Sequence, residues 1–186
     1  MNFEIDIAVQ HAGSLSSREI QSTLDHALQS ALKVEHVAGA VLSVSVVDDA
    51  AMHRLNREHL SHDYTTDVIS FPLDWSGPGD EPPLTADGRA CGAMIEGEIV
   101  VNLDYAERVA AEVDWEVLSE LTLYTIHGML HICGYDDLTA PEKEIMRSRE
   151  AAVLNSLGLQ PHYPLDDSPA DRLSRSSTSP AAEDPQ

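Results

Sequence analysis

The chain opens with EIDIAV at residues 4 to 9, where polar and apolar side chains alternate with the period of a strand that buries one face. Ser17 then stands where it can cap a helix. Within that helix Ile20, Leu24, Ala27, Leu28, Ala31 and Leu32 recur at the spacing of one apolar stripe. AVLSVSVVDD, residues 40 to 49, is dense in β-branched residues and predicts a second strand. Asp48 or Asp49 caps the short helix that follows, with Met52, Leu55 and His59 turned inward. TDVISFPL, residues 66 to 73, predicts a third strand that ends at Pro72, because proline cannot donate to a ladder. Residues 74 to 92 are rich in Gly, Pro and Asp and have the composition of a surface insertion. GEIVVNL at 97 to 103 is a fourth strand, and DYAERVAAEV continues as helix. Asp114 is expected to cap a long helix from Trp115 to about Cys133 that buries Trp115, Leu118, Leu121, Ile126 and Leu130. Thr139 with Glu142 forms a capping box for a last helix, whose apolar side carries Ile145, Met146, Val153 and Leu154 and which Gly158 ends.

Four strands and about five helices predict an α+β fold, a small four-stranded mixed sheet covered by helices. The pattern sets residues 1–159 as one domain carrying the insertion at 74–92. Residues 160–186 hold five prolines and many serines among few apolar residues, the composition of a disordered acidic tail.

Charge narrows the partners less than its size suggests. Eleven Lys and Arg stand against 32 Asp and Glu, a net charge of −21. Neutralising phosphates normally calls for an excess of basic residues. A local basic or metal site still binds phosphate within an acidic field, at a cost in affinity. The two cysteines, Cys91 and Cys133, provide no disulfide framework. There is no apolar run long enough to span a membrane, and MNFEIDIAVQ lacks the basic-then-apolar pattern of a secretion signal, so a cytoplasmic location is expected.

The candidate chemistry is concentrated in HGMLHICGYDD, residues 127 to 137. His127 and His131 are four apart, so on a helix they share one face and can offer imidazole nitrogens to one ion. Gly134 can take the left-handed conformation that stops a helix and bring Asp137 back as a third ligand. Three protein ligands leave an open position, the mark of a catalytic zinc site with one ion per chain. Cys133 lies two residues past His131, roughly 200° round the helix, and faces away. The order is that of a zincin-like metal helix, with two exceptions. Gly128 stands where a peptidase needs its glutamate base, and Asp137 stands where a histidine ligand is usual.

HGMLHICGYDD, taken with TTDVISFP at 65 to 72 and GEIVVN at 97 to 102, closely resembles the YbeY family of bacterial rRNA maturation factors and endoribonucleases. The likeness covers most of residues 40 to 157 and includes Asn56, Met146 and Glu150 in the family's order. It implies a metal-dependent hydrolase of single-stranded RNA that acts in 3′-end maturation of small-subunit (16S) rRNA and in ribosome quality control, with ribosomal particles and proteins as partners. The family's ligands map onto His127, His131 and Asp137. Its functional arginine maps onto Leu60, which cannot hold a phosphate. Arg57 or Arg54 on the same helix is the nearest substitute, and Arg57 is the one expected to serve.

A general base is not fixed by spacing. Water on the ion, Asp136, His59 and His62 are the candidates, while Ser70 and Thr66 can shape the pocket floor. Two other functions fit part of the pattern. A non-catalytic ribosome-assembly factor with a structural metal agrees with Leu60 and the acidity, and a zinc peptidase agrees with the ligand spacing but not with Gly128.

Overall fold

The computed structural model describes residues 2–60, 62–77 and 88–161. Its elements run β1 (Asn2–Val9), α1 (Ser17–Val34), β2 (Gly39–Val47), α2 (Asp49–Leu60), β3 (Val68–Ser76), β4 (Met94–Asn102), α3 (Leu103–Val113), α4 (Val117–Ile132) and α5 (Ala140–Ser156). The four strands form one sheet in the order β1-β2-β4-β3. β1 and β4 pair parallel to β2, and β3 pairs antiparallel to β4, so the sheet is mixed and the fold is α+β as the periodicities predict.

Alternation along the strands assigns the two faces. Ile95, Ile99 and Val101 of β4 point into the main core with α1, α3, α4 and α5, while Val100 joins Val47, Ile69 and Met52 in a small cluster beneath α2. The apolar stripe read from α1 is buried at all six positions, each no more than 1% exposed. α4 is buried nearly all round, which makes it the central helix of the main layer. Two glycines let it lie close to the sheet. A Cβ on Gly97 would meet Ile132 Cδ1 at 2.6 Å, and one on Gly128 would meet Cγ2 of both Ile99 and Val68 at 3.0 Å. Gly128→Ala therefore forces two β-branched side chains that have little rotamer freedom. The better helix propensity of alanine offsets the crowding only partly, so a net loss of about 1 kcal/mol is expected in a urea melt.

Several boundaries differ from the periodicity. Ser16, not Ser17, caps α1, its hydroxyl accepting from Glu19 N at 3.1 Å. Asp48 caps α2 by accepting from Ala51 N at 2.7 Å, which leaves Asp49 for other partners. His59 on α2 is exposed, and the buried polar residue of that helix is Asn56, which donates to the Tyr64 carbonyl at 2.7 Å. Asp114 does not start α4. It closes α3 in the left-handed conformation (φ 54°), which aspartate tolerates, and Glu116 stands at the head of α4. Trp115 lies in the link between the two helices, partly buried against the core.

β3 does not stop at Pro72 either. It is an edge strand, so the missing N–H removes no bond from a second neighbour, and the ladder resumes after a register shift between Pro72 and Asp74. The segment of loop-like composition is thus anchored at both ends. Asp74–Ser76 belong to β3, and Arg89 and Ala90 are buried. The middle of the expected insertion, 78–87, and all but the first two residues of the expected tail lie outside the described residues.

Candidate metal centre

α4 ends in a turn built from its own sequence. Gly134 takes φ 88°, Gly134 N–H donates to His131 O at 2.9 Å, and Tyr135 N–H donates to Leu130 O at 3.1 Å, the paired bonds of a glycine-stopped helix. The chain reverses there. Asp136 then spends its Oδ1 on the backbone, accepting from Asp137 N at 2.7 Å and Leu138 N at 3.3 Å. That turn returns Asp137 to the helix face carrying the two histidines.

His127, His131 and Asp137 meet with their donor atoms within 4.8 Å of one another, a group that could hold a metal ion. The Nε2 atoms of the histidines are 2.9 Å apart, and Asp137 places Oδ2 3.8 Å from His127 Nε2 and Oδ1 3.9 Å from His131 Nε2. Donors about 2.0–2.1 Å from a tetrahedral zinc stand about 3.3 Å from one another, and these separations bracket that value.

The remaining ring nitrogens say which way the lone pairs point. His131 Nδ1 lies 3.0 Å from the carbonyl of Tyr135, which can only accept, so Nδ1 carries the proton. His127 Nδ1 lies 2.6 Å from Oε1 of Glu150, a residue of α5 that is 4% exposed. Both Nε2 lone pairs therefore face the same point, where only a cation or a shared proton relieves them. This carboxylate–histidine arrangement is how proteins orient metal-ligating imidazoles. The electrostatics agree. Burial is the largest influence on His127 and opposes its charge, but the Glu150 bond and charge prevail and hold its pKa above the usual histidine value. Burial, then the neighbouring His127, pushes His131 below it.

A buried network fastens the turn to the body of the protein. The Tyr135 hydroxyl donates to Glu35 Oε2 at 2.7 Å, and Arg149 Nε donates to Glu35 Oε1 at 2.9 Å. Arg89 stacks on the Tyr135 ring, 4.8 Å from its centroid, and donates to the Gly134 carbonyl at 2.7 Å. Cys133 faces the core with Sγ 3.3 Å from Met129 Sδ, and burial raises its pKa, so it is no thiolate ligand.

The triad lies at an open cleft of about 840 Å³, with Thr66–Pro72 of the β3 edge on one side and Gly134–Leu138 on the other. Thr66 and Ser70 line it, as does Asp136. His59 makes an edge-to-face contact with Phe71, 5.5 Å between ring centroids, on the α2 side of the sheet, and like Arg57 is not among the lining residues. Arg57 is exposed and is not among the lining residues, and His62 is stacked on Tyr64 instead. Arg54 lines a separate pocket with Gln10 and Glu58. The sequence reading had no role for Glu150, Glu35 or Asp67. Glu150 carried a usable signal, since it lies four residues after Met146 and three before Val153, an acid on the apolar side of α5. Gly128 faces Val68 and Ile99 of the sheet rather than the cleft, so a glutamate there would meet packed strands.

Comparison with known proteins relates the chain to a family of endoribonucleases. A family model described as endoribonuclease YbeY matches residues 6–158. An endoribonuclease YbeY of Moorella thermoacetica is 39% identical over 158 residues, 84% of this chain and 99% of that protein. The Bacillus subtilis protein of that name is 33% identical over 161 residues, 86% of this chain and 99% of its own. A Thermotoga maritima protein solved in solution shares the fold at a TM-score of 0.51 and 24% identity, covering 83% of this chain and 91% of that one.

Proposed function

The chain belongs to the YbeY endoribonuclease family, and from that premise we propose that it cleaves single-stranded RNA at a zinc site held by His127, His131 and Asp137. Maturation of the small-subunit rRNA 3′ end and ribosome quality control are the processes it serves, with ribosomal particles as partners and the cytoplasm as location. In support of the location, no helix among the described residues is long and apolar enough to cross a membrane.

The observation that carries the reading is the pair of Nε2 lone pairs 2.9 Å apart with a carboxylate opposite them, a donor set that suits one zinc ion. When bound, the ion supplies Lewis acidity at a phosphodiester oxygen and lowers the pKa of water at its open position. The protein's own residues do the rest. Glu150 keeps the His127 proton on Nδ1 and aims Nε2, and the Tyr135 carbonyl does the same for His131. The open cleft admits a strand beside β3, and a proton acceptor is to be sought among the residues that line it, Asp136 included, rather than at His59, which does not. Asp136 shapes the ligand turn through its two backbone bonds. The deciding experiment is cleavage of an end-labelled single-stranded RNA bearing the small-subunit rRNA 3′ end, with zinc and with chelator. Metal-dependent cutting is expected.

One observation favours a different reading. No lysine or arginine is among the residues lining the larger cleft, and Leu60 stands where the family's arginine is expected. A non-catalytic assembly factor would bind ribosomal particles and leave every RNA intact. Asp137→His tests the ligand assignment in both cases. Histidine supplies a zinc donor at the same turn, so affinity in a metal titration should be kept or raised, and lost binding contradicts the assignment.

A further inference from the structure

Asn102 is the last residue of β4 and the cap of α3, and it is fully buried. Its Oδ1 accepts from Tyr105 N at 3.2 Å, which accounts for the cap. The nitrogen end has different work. Nδ2 donates to Asp49 Oδ1 at 2.8 Å, to the Thr66 carbonyl at 2.9 Å and to Thr65 Oγ1 at 3.0 Å. A carboxylate and a carbonyl can only accept, so the amide is fixed with its nitrogen towards residues 65–66. The backbone of Asn102 adds to this hold, its N–H donating to the Asp67 carbonyl at 2.8 Å. Two consecutive carbonyls, those of Thr66 and Asp67, thus hang on one residue.

What hangs there is one end of the cleft wall. Thr65 and Thr66 precede β3 and lie outside its ladder, so strand pairing does not place them. Thr66 and Asp67 nevertheless line the cleft together with His127, His131 and Asp137. Val68, the next residue, packs on α4 with its Cγ2 3.0 Å from where a Cβ on Gly128 would stand, one residue past His127. The other side of the hub is anchored too. Asp49 Oδ1 accepts from the Thr65 hydroxyl at 3.2 Å, the Asp49 carboxylate pairs with Arg108, and Asp49 N donates to Asp104 at 3.0 Å.

We infer that Asn102 is a positioning residue for RNA cleavage, its amide holding the Thr66–Asp67 end of the cleft wall at a fixed reach from the metal triad and so setting how well the RNA strand seats. This rests on the endoribonuclease reading above. The two ends of the side chain then do separable things. The oxygen serves α3, a matter of stability, and the nitrogen serves the wall, a matter of fit. The metal ligands depend on neither, because α4 and its glycine turn carry them and Glu150 and Glu35 fasten them from other helices.

The test compares N102A and N102S with the unaltered chain. Serine keeps an acceptor for Tyr105 N and is as good a cap as asparagine, but its single hydroxyl proton cannot replace the two of the amide. Steady-state cleavage of the end-labelled single-stranded RNA by zinc-loaded protein, below each melting temperature, gives KM and kcat. A zinc titration and a thermal melt complete the comparison. KM should rise at least about fivefold in both variants, roughly the worth of one hydrogen bond, while kcat and zinc affinity stay within about twofold. N102S should melt above N102A, and it decides the matter alone if N102A does not fold. A lowered melting temperature with KM unchanged makes Asn102 a structural residue only and overturns the inference. A KM raised in N102A and restored in N102S also overturns it, since the cap is then what matters, and so does a loss of zinc affinity alongside the change in KM. Each of these leaves the endoribonuclease reading standing, whereas an unaltered protein that cuts no RNA brings both down together.

Discussion

His127→Ala will lower zinc affinity by more than about 100-fold and abolish metal-dependent RNA cleavage. The expectation follows from a comparison with the residue behind it. Losing a partner that only orients a ligand costs about 10–100-fold in affinity or activity, and that is the range expected of Glu150→Gln. Removing His127 deletes a ligand outright and also leaves the buried Glu150 carboxylate without its ring nitrogen. Competition with a zinc-sensitive dye, followed by an RNA cleavage time course, reads both quantities. The pH dependence has a definite sign. Zinc needs Nε2 unprotonated, and His127 binds its proton more tightly than a free histidine, so affinity should climb as pH rises through the raised His127 pKa. Equal zinc affinity in His127→Ala and the unaltered chain would sink the ligand assignment.

Glu35→Ala should have the largest effect on stability, although its Cα belongs to the C-cap of α1 and carries no chemistry. The side chain is fully buried and accepts from both Tyr135 and Arg149. Removing this carboxylate takes an acceptor from the buried Tyr135 hydroxyl and breaks the buried pair with Arg149, a loss of about 3–5 kcal/mol. For a chain of this size that is a fall of about 10 °C in melting temperature. Glu35→Gln retains an acceptor for the tyrosine hydroxyl and should fall less. The metal centre should feel the change too. Tyr135 supplies the carbonyl that holds the His131 proton, so a loosened hydroxyl end relaxes the carbonyl end. Thermal melts followed by circular dichroism, with and without zinc, separate the two losses. A melting temperature for Glu35→Ala within about 2 °C of the unaltered chain would contradict the account.

These two residues also mark where the sequence is legible. His127, His131, Gly134 and Asp137 are read from spacing alone, because helix pitch and the conformational freedom of glycine fix their relation over eleven residues. The four strands and the α1 stripe are local patterns and are found close to where the periodicity predicts, with strand ends displaced by up to about three residues and β3 running past Pro72. Glu35 is a different matter. It lies 100 residues from Tyr135, and in the sequence it is one more acid at the end of a helix. Asp114 misleads for a local reason, since aspartate suits both a helix start and the left-handed residue that ends the helix before it. Leu60 in the place of the family's arginine draws attention to α2, yet Arg57 is exposed and is not among the residues lining the cleft, because its direction from the helix is set by packing that spacing does not encode.

The facing imidazoles have a consequence for how the centre is filled. With both Nδ1 protons fixed by acceptors, a first proton placed between the Nε2 atoms is held firmly on the His127 side, and a second is resisted by the charge of the first. The pair therefore behaves as one proton-binding unit with two affinities, one above and one below the usual histidine value. Loading is then an exchange, one proton leaving as one ion arrives, across the pH range between those affinities. Because the donor separations already bracket those of a zinc site, the ligands need shift by only a few tenths of an ångström to close on an ion.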